Sequence, residues 1–485
     1  MYSETPDIMH FETNRSIDVL SPEQVKAVQA GTLQLLEEVG VHIPSPRALE
    51  ILGDHGAKVD TPTEIVRIPP DLVYKAMSTA PRSFILGGRE ERFDLLLDGR
   101  SSYLCTDGCG VHVVDLETRQ QRPSRKADIE QMARVCDALP LISFFWPLVS
   151  AQDHGRTAPL HECHAGLTNT LKHVRGGTTT YAQLAPYIVE MATVAAGSEE
   201  ARRARPPICA NICTIAPLSH DQDGIECALT YAEAGIPTSL MAMTTMGSTA
   251  PATPLGALIT GDAEVISGMV LLQLAYPGAP VFHSILVSLM HPLTGGYIGD
   301  ASTPMSAITT QLAHAWGVPS LTGGSLSSDA PDIGWQSAAD AGFGSAMIPL
   351  AGSEICGYLG MLGGSMILRP EQLLLDHEIC LHAHEVLGEF DFDPDSMALD
   401  IIKEVGPRSH FLKQKHTRKH IRDFRLSKLT GQRDSQGNLR DPVDVALEEF
   451  KRLDQSHQPE PLPPEKLSEL DRILAAADRE AERIG

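Results

Sequence analysis

The chain has 485 residues, more than one ordinary compact core holds, and this length suits a barrel with added segments. Hydrophobic residues make up 42%, but no apolar stretch reaches the roughly 18 uninterrupted residues of a membrane span, and the acidic first residues do not resemble an export signal. A formal net charge of −23 argues against nucleic acid and anionic membranes as partners, because like charges repel. The nine cysteines have no regular spacing, which indicates reduced thiols and a cytoplasmic location.

Residues 1–100 predict an N-terminal mixed α+β extension. Ser21 can cap a helix in which Pro22 takes the first position and Gln24 completes a capping box. We expect that helix to run to about Val39, because Gly40 follows it. Short strands are expected at 84–87 and 93–97, between charged turns.

Residues 101–390 alternate short β-rich apolar runs with longer helical patterns, as βα units do. The predicted helices are 127–139, 160–172, 185–196, 224–234, 262–274 and 303–316, and a capping box at Ser219–Gln222 is expected to open the fourth. The eight predicted strands are 102–106, 142–149, 174–179, 208–214, 238–244, 281–286, 319–322 and 355–359. Because a doubly wound sheet usually stops at five or six strands, the fold class is an α/β (β/α)8 TIM barrel.

Residues 391–485 are Pro-rich and charged and end in an amphipathic pattern at 465–484. They predict a C-terminal helical tail that wraps the barrel or a neighbouring subunit. The tail also carries a basic stretch in an otherwise acidic chain, namely Lys413, Lys415, Arg418, Lys419, Arg422, Arg425 and Lys428. This stretch either docks another protein or forms a solvated helix face.

In such a barrel the reactive groups follow the C-terminal ends of the strands. That rule selects Asp107, Cys109, Asp153, His154, Tyr181, His291 and the segments 213–217, 243–246, 323–332 and 360–364. The glycines at 323 and 324 allow close backbone approach to a ligand, and Ser327, Ser328 and Asp329 could orient a polar substrate. The alternative is a flexible loop without chemistry.

Aromatic residues are only 5% of the chain, yet several fall on predicted strands or their loops. They are Trp146, Tyr181, Phe282, Tyr297, Trp335 and Tyr358. Together such rings could form an open cage for a quaternary ammonium, which has no N–H and is held by aromatic faces and carboxylates. Each ring taken alone is more often part of a core.

A metal site is the weaker interpretation of the metal-capable residues. His161-Glu162-Cys163-His164 lacks the HExxH spacing, and Cys209 and Cys213 share one face of a strand. Buried thiols and a hydrogen-bonded helix terminus explain them better. No Rossmann fingerprint, P-loop or nucleophile elbow has a suitable setting, so the residues alone indicate a barrel enzyme of open chemistry.

Several long segments resemble the trimethylamine methyltransferase family, over about residues 20 to 425. They are 215–221 (IAPLSHD), 234–237 (AGIP), 247–258 (GSTAPATPLGAL), 263–265 (AEV), 273–280 (QLAYPGAP), 137–140 (DALP) and 410–413 (HFLK). The resemblance implies a barrel whose mouth receives a methylated amine and a corrinoid-carrying protein, with the methyl group passing to cobalt.

The founding members of that family hold trimethylamine as an adduct of a pyrrolysine after the seventh strand, whereas this chain has ordinary residues throughout 323–332. A quaternary ammonium is already cationic and needs no adduct. The chain is therefore identified as a member of the branch without pyrrolysine, and glycine betaine is the expected methyl donor. A partner corrinoid protein, homo-oligomerisation and no tightly bound metal are also expected.

Within the resemblance, four aromatic residues are the predicted ligands of the ammonium group, and four polar residues are predicted to orient the rest of the substrate. The aromatic set is Tyr181, Tyr297, Trp335 and Tyr358, and the polar set is His291, Ser327, Ser328 and Asp329. Two other hypotheses stay open. One is a zinc-dependent barrel methyltransferase that uses another donor, and the other is a barrel that binds a betaine without turnover.

Overall fold

The computed structural model describes residues 3–12, 17–108, 110–299, 302–322, 327–389, 391–422, 424 and 426–484. Its elements before Ser101 are β1 (Phe11–Glu12), α1 (Pro22–Glu38), β2 (Val41–His42), α2 (Pro46–Asp54), β3 (Lys58–Asp60), β4 (Ile65–Arg67), α3 (Pro70–Met77), β5 (Phe84–Leu86) and β6 (Leu95–Leu97). The capping box of α1 is confirmed: the Gln24 amide N–H donates to the Ser21 hydroxyl, and Gln24 Oε1 accepts from the Ser21 amide at 2.8 Å. Gly40 then turns the chain with φ +85°, as expected of a residue that ends a helix.

The central part of the chain alternates strands and helices. Its strands are β7 (Ser101–Thr106), β8 (His112–Val114), β9 (Gln121–Pro123), β10 (Ile142–Phe145), β11 (His173–Thr178), β12 (Ile208–Cys213), β13 (Thr238–Met246), β14 (Val281–Met290), β15 (Tyr297–Ile298), β16 (Leu321–Thr322), β17 (Ile355–Leu359), β18 (Met361–Leu362) and β19 (Ile367–Leu368). Its helices are α4 (Lys126–Asp137), α5 (Ala158–Asn169), α6 (Ala185–Ala196), α7 (Glu199–Ala204), α8 (Gln222–Glu233), α9 (Pro254–Ala275), α10 (Ser302–Trp316) and α11 (Trp335–Leu350). All eight predicted strands are present, although β10 stops at Phe145 and β14 continues to Met290.

Eight of these strands form one curled parallel sheet, in the order β14-β13-β12-β11-β10-β7-β17-β16. The short strand β1 pairs with β7 and β15 pairs with β14, both antiparallel. A parallel bridge between His283 of β14 and Ser320 joins the two end strands of the sheet, with the His283 amide 2.9 Å from the Pro319 carbonyl oxygen. The order follows the chain from β7 to β14, as consecutive βα units require.

The predicted capping box at Ser219 is wrong. Helix α8 begins at Gln222, and Asp221 is its cap, with Oδ2 accepting from the Gly224 amide at 2.8 Å. The Ser219 hydroxyl lies 2.9 Å from His42 Nδ1 instead, because the chain pairs with β2 there before it enters the helix.

The inside of the curled sheet is filled by large apolar side chains, among them Phe144, Phe282 and Met241. Leu86, Leu95 and Leu97 of the β5–β6 hairpin belong to the same cluster. The hairpin lies at the N-terminal end of the strands, where the His173 ring contacts the Gly87 carbonyl oxygen at 3.0 Å. One end of the sheet is therefore closed by apolar packing, which leaves the C-terminal end for a site.

Helix α9 is the one helix of the described residues that is long and apolar enough to cross a membrane by length and composition, and 83% of its apolar window is buried inside the protein. A core helix passes the same test. It contains two buried carboxylates, and both are fully partnered. Asp262 accepts from the Thr32 hydroxyl at 2.6 Å and contacts His283 Nε2 at 2.7 Å, and Glu264 accepts from the Thr214 hydroxyl at 2.5 Å.

The rest of the chain contains α12 (Pro370–Leu387), α13 (Pro394–Met397), α14 (Leu399–Val405), α15 (Lys415–His420), α16 (Pro442–Ser456) and α17 (Pro464–Ile484). Helix α17, predicted at 465–484, packs on α5 and α6, and α16 packs on α4 and α12. By contrast, α13, α14 and α15 contain no buried residue. The eight cysteines of the described residues are free thiols, as predicted from their spacing, and Cys109 lies outside those residues.

Candidate active site

A cavity of about 490 Å³ lies at the C-terminal end of the parallel strands. It is within the size range of small-molecule sites. Its walls come from the ends of β7, β13, β14 and β17 and from the segments that follow β14, β16 and β17. The lining residues are Asp107, Met241, Met243, Leu286, Tyr297, Gly299, Ser327, Asp329, Tyr358, Gly363, Gly364, Ser365 and Met366.

The cavity has a buried floor and an exposed rim. Asp107, Met241 and Tyr358 are almost fully buried and form the floor. Met243 and Tyr297 are partly exposed, with 46% of Tyr297 accessible, and they mark the rim. A ligand that enters past the Tyr297 ring therefore meets a carboxylate, a thioether and a second phenol inside.

The segment after β16 is anchored to the rim by short polar contacts. Asp329 Oδ2 accepts from the Gly299 amide at 2.5 Å, and the Ser327 and Ser365 hydroxyls lie 2.9 Å apart. Gly364 has φ +63°, and a Cβ there would lie 3.2 Å from Asp329 Oδ1 and close to the Tyr297 ring. Glycine thus lets Asp329 and Tyr297 approach the same backbone.

Asp107 is the buried acid of the site, only 1% exposed. Its Oδ1 accepts from the Gly108 amide at 2.7 Å, while Oδ2 has no hydrogen-bond partner within the described part of the chain. Burial raises the pKa of this carboxyl, and the nearby Ser365 hydroxyl and Gly108 N–H reverse only part of that effect. A cation bound in the cavity would favour the ionised form of Asp107.

Two aromatic rings support the floor. The Trp146 and Tyr358 rings lie 5.6 Å apart and are tilted, and the Tyr358 hydroxyl is 3.1 Å from the Met241 sulfur. A Cβ at Gly108 would lie 2.0 Å from Trp146 Nε1, so the Trp146 ring fits only against a glycine. The glycine next to Asp107 thus allows the Trp146 ring to pack closely under the cavity.

Below this floor lie two polar side chains that sequence reasoning missed. Arg175 of β11 packs its guanidinium 3.7 Å from the centre of the Trp146 ring, and Asn211 of β12 faces Met241. Both occupy inward positions of buried strands. The signal that could have found them is a charged or amide side chain at an inward position of a buried strand, which is costly without a partner.

The structure brings together several residues that were predicted to bind substrate. Ser327, Asp329, Tyr297 and Tyr358 all line the cavity, and Ser328, next to them, donates to Asp340 Oδ2 at 2.5 Å. Three others lie outside the lining. Trp335 begins α11 and is 88% exposed, Tyr181 lies beside Arg156 and packs against the helices, and His291 Nδ1 accepts from the Leu293 and Thr294 amides.

The metal-capable side chains at the start of α5 contact different partners and do not converge on one point. His161 contacts Asp478 and His164 contacts Asp471, both on α17, while Glu162 accepts from the Ser150 hydroxyl at 2.7 Å. Within the described ranges, the cluster that could hold an ion is Asp395, His416 and His420. That cluster is not part of the cavity wall, and the Lys419 ammonium already pairs with Asp395.

The chain is similar to known proteins over nearly its whole length. The family described as trimethylamine methyltransferase (MTTB) matches residues 4–482. Trimethylamine methyltransferase MttB of Desulfitobacterium hafniense is 31% identical over 468 residues, covering 95% of this chain and 94% of the relative. Glycine betaine methyltransferase of the same species, from another strain, is 28% identical over 418 residues, covering 84% of this chain and 85% of the relative.

Among solved structures, the monomethylamine methyltransferase of Methanosarcina barkeri matches with a TM-score of 0.48 and 12% identity, over 98% of this chain and 90% of that one. So distant a likeness carries no argument about the site. The family match, in contrast, runs through nearly the whole chain. The protein therefore belongs to the trimethylamine methyltransferase family.

Proposed function

We propose that the protein transfers a methyl group from a small quaternary amine, with glycine betaine as the best candidate, to the cobalt of a corrinoid held by a partner protein. The observation that carries the proposal is a cavity in which aromatic faces and carboxylates converge at the C-terminal end of the strands. Support also comes from the family membership and from the relative that bears the name glycine betaine methyltransferase.

The lining suits a permanently cationic headgroup. A trimethylammonium group has no N–H to donate, so binding relies on the faces of rings such as Tyr297 and Tyr358 and on negative charge. Asp107 and Asp329 supply that charge at the floor and at the rim. Met241 and Met243 add polarizable thioethers, which adapt to the shape of a methylated headgroup.

The proposed methyl transfer requires little proton transfer by residues of the protein. The corrinoid of a partner protein would supply the nucleophile when bound. Transfer of CH3+ would return the electron pair of the N–CH3 bond to the donor nitrogen, which begins positive and would become neutral. The residues of the cavity would hold one N–CH3 bond toward the mouth and exclude water from the ammonium. Asp107 stabilises the cation before transfer, and no described step requires it to give up or take a proton.

We also propose a complete (β/α)8 barrel at residues 101–390, with an extension at 1–100 and a tail at 391–485. The chain-ordered parallel sheet and the His283–Ser320 bridge between its end strands support the barrel. The free cysteines support a cytoplasmic location.

A homo-oligomer is part of the proposal. Helices α13 to α15 bury no residue, although Phe392, Ile402, Leu412 and Phe424 around them are at least half exposed. The basic stretch lies in the same segment, while the whole chain carries −23. A second copy of this acidic chain would cover the apolar side chains and balance that local positive charge.

The test is methylation of cob(I)alamin by purified protein with glycine betaine, carnitine, choline and trimethylamine as separate donors. We expect turnover with at least one quaternary amine and none with trimethylamine, whose nitrogen is positive only while it is protonated. Activity on trimethylamine alone would refute the proposal. Tight betaine binding without any transfer under reducing conditions would favour a binding protein instead.

A further inference from the structure

Arg175 is a buried cation that forms no ion pair with the described residues. Its side chain is on the inward face of β11, and the residue is 3% exposed. None of its three guanidinium nitrogens has a hydrogen-bond partner among the described residues, and no carboxylate there lies within ion-pair distance. The guanidinium instead makes a cation–π contact with the Trp146 ring, 3.7 Å from the ring centre. Buried arginine side chains are ordinarily paired, so this one calls for a partner that the described residues do not provide.

The groups around Arg175 do not neutralise it. Burial raises the pKa of the Cys105 and Cys209 thiols to about 12, so both remain neutral near pH 7. Asp107 feels the charge of Arg175, yet burial still raises the pKa of that carboxyl above its ordinary value. The site therefore offers positive charge on one side and an acid that is not paired with it on the other.

Asn211 extends the same polar region toward the cavity. In the parallel register Arg175 is opposite Cys209, so Asn211 lies two residues closer to the C-terminal end of β12. Its Oδ1 is buried without a hydrogen-bond partner in the described structure. Among the described residues its Nδ2 contacts two sulfur atoms, 3.8 Å away on Cys213 and 4.0 Å away on Met241, and sulfur is a weak acceptor.

Met241 connects this polar region with the cavity. It lines the cavity floor, touches Asn211 and accepts the Tyr358 hydroxyl. Its unbranched side chain has three rotatable bonds and can move aside without a backbone change. Arg175 and Asn211 thus lie one side-chain layer beneath the floor of the cavity.

We propose that Arg175 and the Asn211 amide bind an anionic group of the methyl donor, so that the substrate class is a zwitterion with a quaternary ammonium at one end and a carboxylate at the other. This inference rests on the proposed function and adds the second recognition element. The arginine fork matches the two oxygens of a carboxylate, and the ammonium stays near Asp107, Tyr297 and Tyr358. Arg175 and Asn211 would then determine specificity against donors that carry only the cation.

The first test uses the wild-type protein and isothermal titration with glycine betaine, choline and tetramethylammonium. Because hydrogen bonds to charged groups are each worth a factor of roughly ten to a hundred, betaine should bind at least tenfold more tightly than the other two. Equal binding of choline and betaine overturns the inference and leaves the proposed function standing. Binding of none of the three contradicts the proposed function, and the inference with it.

The second test assigns the effect to residues. Arg175→Met should reduce betaine affinity to the level of choline, with choline binding unchanged, and Arg175→Lys should fall in between because it keeps the charge but loses the fork. Arg202→Met is the matched control, since Arg202 is equally buried but donates to the Ala234 carbonyl and the Thr193 hydroxyl, away from the cavity. An unchanged betaine-to-choline ratio in Arg175→Met overturns the assignment. If that variant does not fold, Asn211→Leu must lower the same ratio, and an unchanged ratio there has the same meaning.

Discussion

Two sets of buried polar groups in this protein differ in how they are satisfied. Asp262 and Glu264, on helix α9, have no exposed surface, and each has two or more partners from other elements. Asp107, Arg175 and Asn211, inside the curled sheet, are buried almost as deeply, yet each keeps at least one polar atom without a hydrogen-bond partner in the described chain. The first set joins elements together. The second set surrounds the cavity floor, which is why we assign it to ligand binding in our proposal.

The largest loss of stability should come from removing one of the fully hydrogen-bonded carboxylates of α9. In Asp262→Leu, three donors lose their acceptor: the Thr32 hydroxyl, the His283 ring and the Trp316 indole N–H. We expect the free energy of unfolding to fall by about 3–5 kcal/mol, measured by urea denaturation, as for removal of one partner from a buried charged network. Arg175→Met is the comparison, because removing an unpaired cation should cost far less. A similar loss in both variants would remove the distinction between the two sets.

A smaller loss of stability is expected where the site depends on the close approach of the Trp146 ring to Gly108. Gly108→Ala places a Cβ 2.0 Å from Trp146 Nε1, so the Trp146 ring must move, and Arg175 and Tyr358 lose their shared neighbour. Overpacking of this kind costs about 1–3 kcal/mol. Thermal melting should show that loss of stability. Betaine affinity should also fall, because the displaced Trp146 ring disturbs the cavity floor. Gly56→Ala is the control: no atom lies within 4 Å of the added Cβ, although its φ of +102° carries its own strain. Unchanged tryptophan fluorescence and affinity in Gly108→Ala would contradict the described packing.

The smallest effect concerns the rim. Tyr297→Ala removes one ring face and should weaken betaine binding by about 0.5–2 kcal/mol, or roughly twofold to thirtyfold, in titration calorimetry. Tyr74→Ala, at an exposed ring on α3 outside the cavity wall, should have no effect. Trp335→Ala sharpens the comparison, because the sequence places Trp335 among the ammonium ligands whereas its side chain is almost wholly exposed on α11. A loss equal to that of Tyr297→Ala would keep Trp335 in the site, and unchanged affinity would remove it.

Much of the fold could be predicted because its patterns are local. The eight apolar runs separated by helical periods led to eight strands, and the Ser21 capping box led to α1. The errors have local causes too. The Ser219 cap failed because the backbone there pairs with β2 first, and the prediction for α9 began eight residues late because Gly256 and Gly261 interrupt its apolar pattern.

The site was less accessible to sequence reasoning because it depends on which way strand residues point. The rule of strand ends selected Asp107 and the segment with Ser327 and Asp329, which lie at the cavity. Arg175 escaped because HVRGGT reads as one short strand, and nothing local shows that its arginine points inward against Trp146. That fact depends on how the neighbouring strands β10 and β11 pair and curl, which the local sequence does not show.

The junction of β14 with the segment around Ser320 has a mechanical consequence. Within the described residues, one bridge joins the main chains of β14 and this segment, whereas β13 and β14 pair along nine residues. Separation of neighbouring backbones costs least at such a point, so thermal breathing should begin between β14 and β16. Asp329 follows the end of β16 by seven residues, so such a fluctuation would widen the cavity opening beside Asp329 and ease the entry of the proposed donor.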